Sequence, residues 1–142
     1  MKELSKNQNE VFEFIYNTFF SCGGELESMI DDEPEMEDFI EDVKYVIKDF
    51  ILGENINSID ELKFVSSSPE WWEEYASFDC RDDKFRESIK MIEVDEELSF
   101  GELETSFMDI FSCEYTDGKL YQSSQTGAPI NGDYFDLVIS KK

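Results

Sequence analysis

The sequence predicts an α+β fold, with about four to five helices in the first 112 residues and a small antiparallel β-hairpin or sheet at the C-terminal end. Three observations carry that prediction. Apolar residues recur at helical spacing through most of the first 112 positions, Asp117-Gly118 offers a two-residue turn between Tyr115 and Leu120-Tyr121, and Tyr134 to Ser140 alternates weakly before ending in Val138-Ile139. The 142 residues include 13 Phe, 6 Tyr and 2 Trp, rings that bury roughly 150–250 Å² each, so one folded domain over 1–142 is expected despite the high charge. No repeat, low-complexity tract or linker divides the chain.

Ser5 can cap a first helix to about Ser21, with Val11, Phe12, Ile15 and Phe19 on one face and Gly23-Gly24 as its stop. A second helix, from about 35 to 52, has Pro34 at its start, acids in its first turn and Gly53 just beyond its end. Its Met36, Phe39, Ile40, Val43, Val46, Ile47, Phe50 and Ile51 fill one broad apolar arc, which places it centrally. Ser58-x-x-Glu61 resembles a capping box, while Leu62 to Val65 reads equally well as a short strand, so residues 54–67 are open between helix and strand. Ser68-Pro69 opens a short helix through Trp71, Trp72, Tyr75 and Phe78. Asp82 or Asp83 caps another with Phe85, Ile89 and Ile92 inward, and Ser99-x-x-Glu102 begins one with Phe100, Leu103, Phe107, Ile110 and Phe111 inward. A hairpin at Thr116-Asp117-Gly118-Lys119 and a last strand from Tyr134 to Ser140 complete the chain.

Charge is the functional clue. Thirty-five Asp and Glu oppose twelve Lys and Arg with no His, a formal charge of −23, and from Glu25 to Asp42 there are ten acids and no base. Solubility of a small domain needs a net charge of only about 2–8 in magnitude. A field of this sign repels nucleic acid and anionic membrane and attracts basic surfaces, so neither direct nucleic-acid binding nor a membrane role is expected. On the second helix Glu35, Asp38, Asp42 and Asp49 fall within about 60° of one another, with Tyr45 between the last two. Asp31, Asp32 and Glu33 extend this row. From Glu35 to Asp49 the row spans roughly 21 Å, a length over which a nucleic-acid strand carries about six phosphates. Lys44 and Lys48 lie on a different edge, beside Glu37 and Glu41. Trp72, flanked by Glu70, Glu73 and Glu74, is a candidate interface anchor, the alternative being that Trp71 and Trp72 are both core.

Much chemistry is excluded by residue type. Without His there is no imidazole base, no Ser-His or Cys-His pair and no His-containing zinc site. Cys22, Cys80 and Cys113 lack C-x-x-C spacing and follow no secretory signal, so reduced thiols in a cytoplasmic protein are expected. The glycines form neither a phosphate-binding loop nor a dinucleotide fingerprint, and Asp79 to Asp83 is interrupted by Arg81 and lacks the Gly and distal Glu of a calcium loop. No catalytic residue, cofactor or metal is expected.

In charge and size the chain is similar to the acidic nucleic-acid mimics that phages and mobile elements use against restriction and CRISPR systems. That resemblance implies an inhibitor presenting phosphate-like carboxylates to a basic nucleic-acid-binding protein, whether a nuclease, a CRISPR effector or a restriction component. Two alternatives stand beside it: an immunity protein that neutralises a basic nuclease toxin, and an acidic regulatory or scaffold domain that binds through its aromatic face.

Overall fold

The computed structural model describes residues 3–20, 36–66, 87, 90–95, 111–125 and 134–142. Helix α1 (Lys6–Ile15) starts at Ser5, whose hydroxyl accepts the Gln8 N–H at 3.1 Å while the Gln8 side chain accepts the Ser5 N–H at 3.1 Å. Two donors that would otherwise be orphaned are thereby satisfied. The α-helix gives way at Tyr16 to a π turn (Tyr16–Phe20), so the helical segment reaches nearly the expected length with a wider last turn.

Helix α2 (Met36–Gly53) ends in a way the sequence did not suggest. Gly53 is its last helical residue, and the left-handed position falls to Asn55, at φ 53°. The Asn55 N–H donates to the Leu52 carbonyl at 3.2 Å and the Ile56 N–H to that of Ile51 at 3.0 Å, a Schellman closure. Its customary apolar contact is present, because Ile51 and Ile56 are both fully buried in the core. Lys141 adds a charge to the helix end by donating to the carbonyls of Glu54 and Asn55 at 3.2 and 3.4 Å.

Five strands form one mixed sheet: β1 (Leu62–Ser66), β2 (Ile92–Val94), β3 (Phe111–Thr116), β4 (Lys119–Gln125) and β5 (Tyr134–Lys141), in the spatial order β2-β1-β5-β4-β3. β1 and β2 are parallel, and the other neighbours are antiparallel. The register sets Phe64, Ile139, Leu120 and Tyr115 in one row across the sheet, and both helices cover this face. Phe14 and Phe19 meet Phe64 with ring centroids 6.0 and 4.9 Å apart, and Phe50 meets Tyr115 edge-on at 5.6 Å. The core is therefore the layer between two helices and one sheet face. Within it the Gln122 side chain is fully buried and donates to the Phe19 carbonyl at 2.8 Å, tying β4 to the π turn.

This architecture overturns the expected four to five helices with a small antiparallel sheet. Among the described residues there are two α-helices, and the sheet is five-stranded and mixed. Ile92, assigned to the inner face of a helix, lies in β2, and Phe111, assigned to a helix end, opens β3. Short apolar runs do not reveal their own periodicity, and here long-range pairing decides: Ile92 takes Phe64 as its partner, 28 positions earlier in the chain. The open segment 54–67 contains both of its alternatives in succession. A 3-10 turn (Ile59–Glu61) is capped by Ser58, and β1 follows at once with Leu62, Phe64 and Ser66 buried on alternate positions. The hairpin at Asp117-Gly118 and the final strand are present. The helices expected at Ser68–Phe78 and from Ser99 lie outside the described residues.

Candidate partner-binding surface

Helix α2 is held by its inner face, where Phe39, Ile40, Val43, Ile47, Phe50 and Ile51 are buried. That anchorage fixes what its outer face presents. Asp38, Asp42, Tyr45 and Asp49 are all exposed, following one another at spacings of four, three and four residues along one side of the helix. Tyr45 stands out among them at 58% exposure, an aromatic ring left in water between acids. From Asp38 to Asp49 the helix rises roughly 16 Å; the carboxylates of Asp38 and Asp42 are about 6 Å apart in rise and those of Asp42 and Asp49 about 10.5 Å, against roughly 6.8 and 10.2 Å for two and three phosphate steps of one nucleic-acid strand.

The lysines of the same helix turn away from this row. Lys44 places its Nζ 5.1 Å from the centroid of the Tyr16 ring, and Lys48 sits 5.4 Å from that of Phe12. The two rings are parallel with centroids 5.9 Å apart, so the lysine heads cover a small aromatic platform where α1 passes into the π turn. Spacing alone suggested that Lys44 would meet Glu41; its partner is the ring instead. Among the described residues, no ion pair or hydrogen bond reaches the carboxylates of Asp38, Asp42 or Asp49. The Lys63–Glu93 pair, at 3.9 Å, joins β1 to β2.

At the C-terminal end of α2 the acidic surface continues onto the hairpin. Tyr115 on β3 donates its phenolic hydrogen to the Glu54 carboxylate. That bond, then burial and the negative charges of Glu54 and Asp49, push the phenol up to about 12. A Cβ on Gly118 would come within 3.3 Å of a Glu54 oxygen, so the hairpin tip backs directly onto this carboxylate. Glu114 and Asp117 are exposed on the hairpin itself. Sequence reasoning missed Glu54, Tyr115 and Glu114, because 61 positions separate Tyr115 from Glu54 and no local pattern announces their meeting.

Of the residues singled out by sequence, the structure brings together Asp38, Asp42, Tyr45 and Asp49. Asp31, Asp32, Glu33, Glu35, Glu70, Trp72, Glu73 and Glu74 lie outside the described residues or have side chains that do. Among the described residues no group of three or more His, Cys, Asp or Glu is arranged to hold a metal ion, and no helix is long and apolar enough to cross a membrane. Burial, reinforced by Glu114, pushes the Cys113 thiol far above its ordinary range, which keeps it protonated and a poor nucleophile. Comparison with protein families, with curated proteins and with solved structures finds no match to the chain.

Proposed function

We propose that the chain is a non-catalytic cytoplasmic inhibitor that occupies the nucleic-acid site of a basic protein, in the manner of the anti-defence mimics of phages and mobile elements. One observation carries this reading: Asp38, Asp42 and Asp49 are displayed in a row with Tyr45 on a rigidly anchored helix, while Lys44 and Lys48 are engaged elsewhere. A basic groove shaped for phosphates would meet fixed carboxylates at a comparable pitch, each able to accept charge-assisted hydrogen bonds from Lys or Arg. An exposed Tyr at the middle of the row supplies the kind of ring that dominates interface energetics.

The test is competition. Purified chain is titrated into complexes of labelled nucleic acid with basic nucleases, CRISPR effectors and restriction components, at rising salt. A true target releases its nucleic acid, binds the chain less tightly by orders of magnitude as salt rises from about 50 to 300 mM, and ignores an Asp38→Lys/Asp42→Lys variant that remains folded. A target that holds the chain and its nucleic acid at the same time would refute the proposal.

A further inference from the structure

We infer that the outer edge of β3 is a strand-addition site for an extended, basic segment of a partner protein. The turn Asp117-Gly118 has positive φ at both residues, 53° and 77°, the signature of a type I′ hairpin. Such a two-residue turn is closed by a pair that exchanges hydrogen bonds, here Thr116 with Lys119, and bonding alternates down the ladder from there. Ser112, Glu114 and Thr116 thus face β4 with their backbone groups. Phe111, Cys113 and Tyr115 direct theirs the other way, where β3 is the last strand of the sheet and no described residue pairs with it.

Exposed edges are normally blunted by shortness, bulges, Pro or Lys. At the opposite edge β2 is only three residues long. β3 has none of these devices: it runs for six residues in unbroken register with β4, and the sequence FSCEYT contains no Pro, Gly or Lys. What surrounds the edge is negative charge. Glu114 is exposed on the strand, Asp117 at the turn, Glu54 lies against the hairpin tip, and Asp49 ends the acidic row of α2 nearby. Among the described bases, Lys119 lies one strand inward on β4, and Lys141 is occupied by the carbonyls of Glu54 and Asn55. Two copies of a chain of formal charge −23 repel each other, so the acids act as the gatekeeper against self-pairing while admitting a cationic strand. The mode is β-augmentation, with backbone bonds giving affinity and the acids giving selectivity. The proposed function enters only as the source of the partner's sign of charge.

The experiment titrates the full isotope-labelled chain with an alternating lysine–valine heptapeptide, and separately with its glutamate–valine counterpart and an N-methylated lysine–valine control. Amide hydrogen exchange at Cys113 and Tyr115 should slow by about tenfold or more with the lysine peptide, while Glu114 and Thr116, already bonded to β4, change less. The glutamate and N-methylated peptides should give no such protection. Glu114→Lys, with an unchanged circular dichroism spectrum, should lose the effect. Protection that fails to appear at Cys113 and Tyr115, or spectral changes confined to α2, overturns the inference, as does light scattering that shows the free chain already dimerised through this edge. The Asp38→Lys/Asp42→Lys variant should keep the protection at β3 while losing inhibition of the target, so the two proposals fail separately.

Discussion

Replacing Gly53 with Ala at the end of α2 should destabilise the protein, although Gly→Ala in a helix ordinarily stabilises by about 1 kcal/mol. Gly53 has no positive φ, so Ala meets no backbone strain there. The obstacle is Tyr115: a Cβ on residue 53 would stand 3.1 Å from its Cζ and 3.2 Å from its Cε2, and closer still to the hydroxyl oxygen. The ring has to move, and two interactions move with it. Its hydrogen bond to the ionised Glu54 contributes about 1.5–3 kcal/mol, toward the lower end because the pair is only part-buried, and its edge-on contact with Phe50 contributes about 0.5–1.5 kcal/mol. Against a helix-propensity gain of about 1 kcal/mol the net cost of Gly53→Ala is about 1–2 kcal/mol. In a Tyr115→Ala background no ring opposes the new methyl, and the same substitution should stabilise by up to about 1 kcal/mol. Urea denaturation of the wild type, both single variants and the double variant measures this change of sign as a coupling energy of about 2–3 kcal/mol. A Gly53→Ala variant that stabilises the wild type, or whose cost survives the removal of Tyr115, would show that the ring does not oppose the added methyl. An independent readout is the phenol itself, raised to about 12 first by its bond to Glu54; Glu54→Gln should return it toward its ordinary value in a spectrophotometric titration.

Glu61 accepts the N–H of Asn57 at 2.6 Å and of Ser58 at 2.8 Å, and the Asn57 bond foremost, followed by the Ser58 bond and Lys141, holds its pKa below the ordinary 4.5 although desolvation opposes them. Its stabilising contribution is therefore present above pH 4.5 and lost as pH falls through the lowered folded value, so melting curves of wild type and Glu61→Gln should converge below pH 4.5 and separate above it. Lys44→Met and Lys48→Met keep the apolar stems but remove the charges over Tyr16 and Phe12, and each should cost about 0.5–1 kcal/mol in urea denaturation. In a Cys22→Ser/Cys80→Ser background, Cys113 should react with a thiol reagent at pH 8 at least about a hundredfold faster in urea than in the native state. Asp42→Lys should raise stability by about 0.5–1 kcal/mol while abolishing partner binding, measured by urea denaturation and by competition with nucleic acid.

What could be read in the sequence was what is decided within a few residues. The Ser5 cap, the extent of α2 and the Asp117-Gly118 turn depend on neighbours in the chain, and so does the row Asp38, Asp42, Tyr45, Asp49, because helical geometry alone puts those side chains together. β1 and β2 could not be read in the same way, since Leu62–Ser66 becomes a strand by pairing with β5 and Ile92–Val94 by pairing with β1. Gly53 was legible as a glycine near a helix end but not in its role: Asn55 takes the left-handed position, and Gly53 gives room to a ring from β3. The lysines show the same limit. Sequence spacing pointed Lys44 to Glu41, and only the packing of α1 against α2 offers it the face of Tyr16 instead.

The disposition of the bases explains why the acid row is a cost the fold carries. Lys44 and Lys48 cover aromatic rings, Lys141 caps the carbonyl end of α2, and Lys63 lies at 3.9 Å from Glu93, so four bases are committed to structural contacts away from Asp38, Asp42 and Asp49. Asp38 belongs to the first turn of α2, where the helix dipole favours an anion, and its presence has a structural reason. Among the described residues Asp42 has none: it is one turn further on, exposed, and four residues from Asp38, a like-charge spacing that destabilises a helix by about 0.2–0.5 kcal/mol. A Lys at position 42 would replace that repulsion with an acid-to-base pair in the favourable order, and it would lower the self-repulsion of the whole chain. If Asp42→Lys both stabilises the fold and abolishes binding, Asp42 serves a partner rather than the fold. If Asp42→Lys instead destabilised the domain, Asp42 would have a structural duty, and the row would lose its strongest claim to be a binding surface.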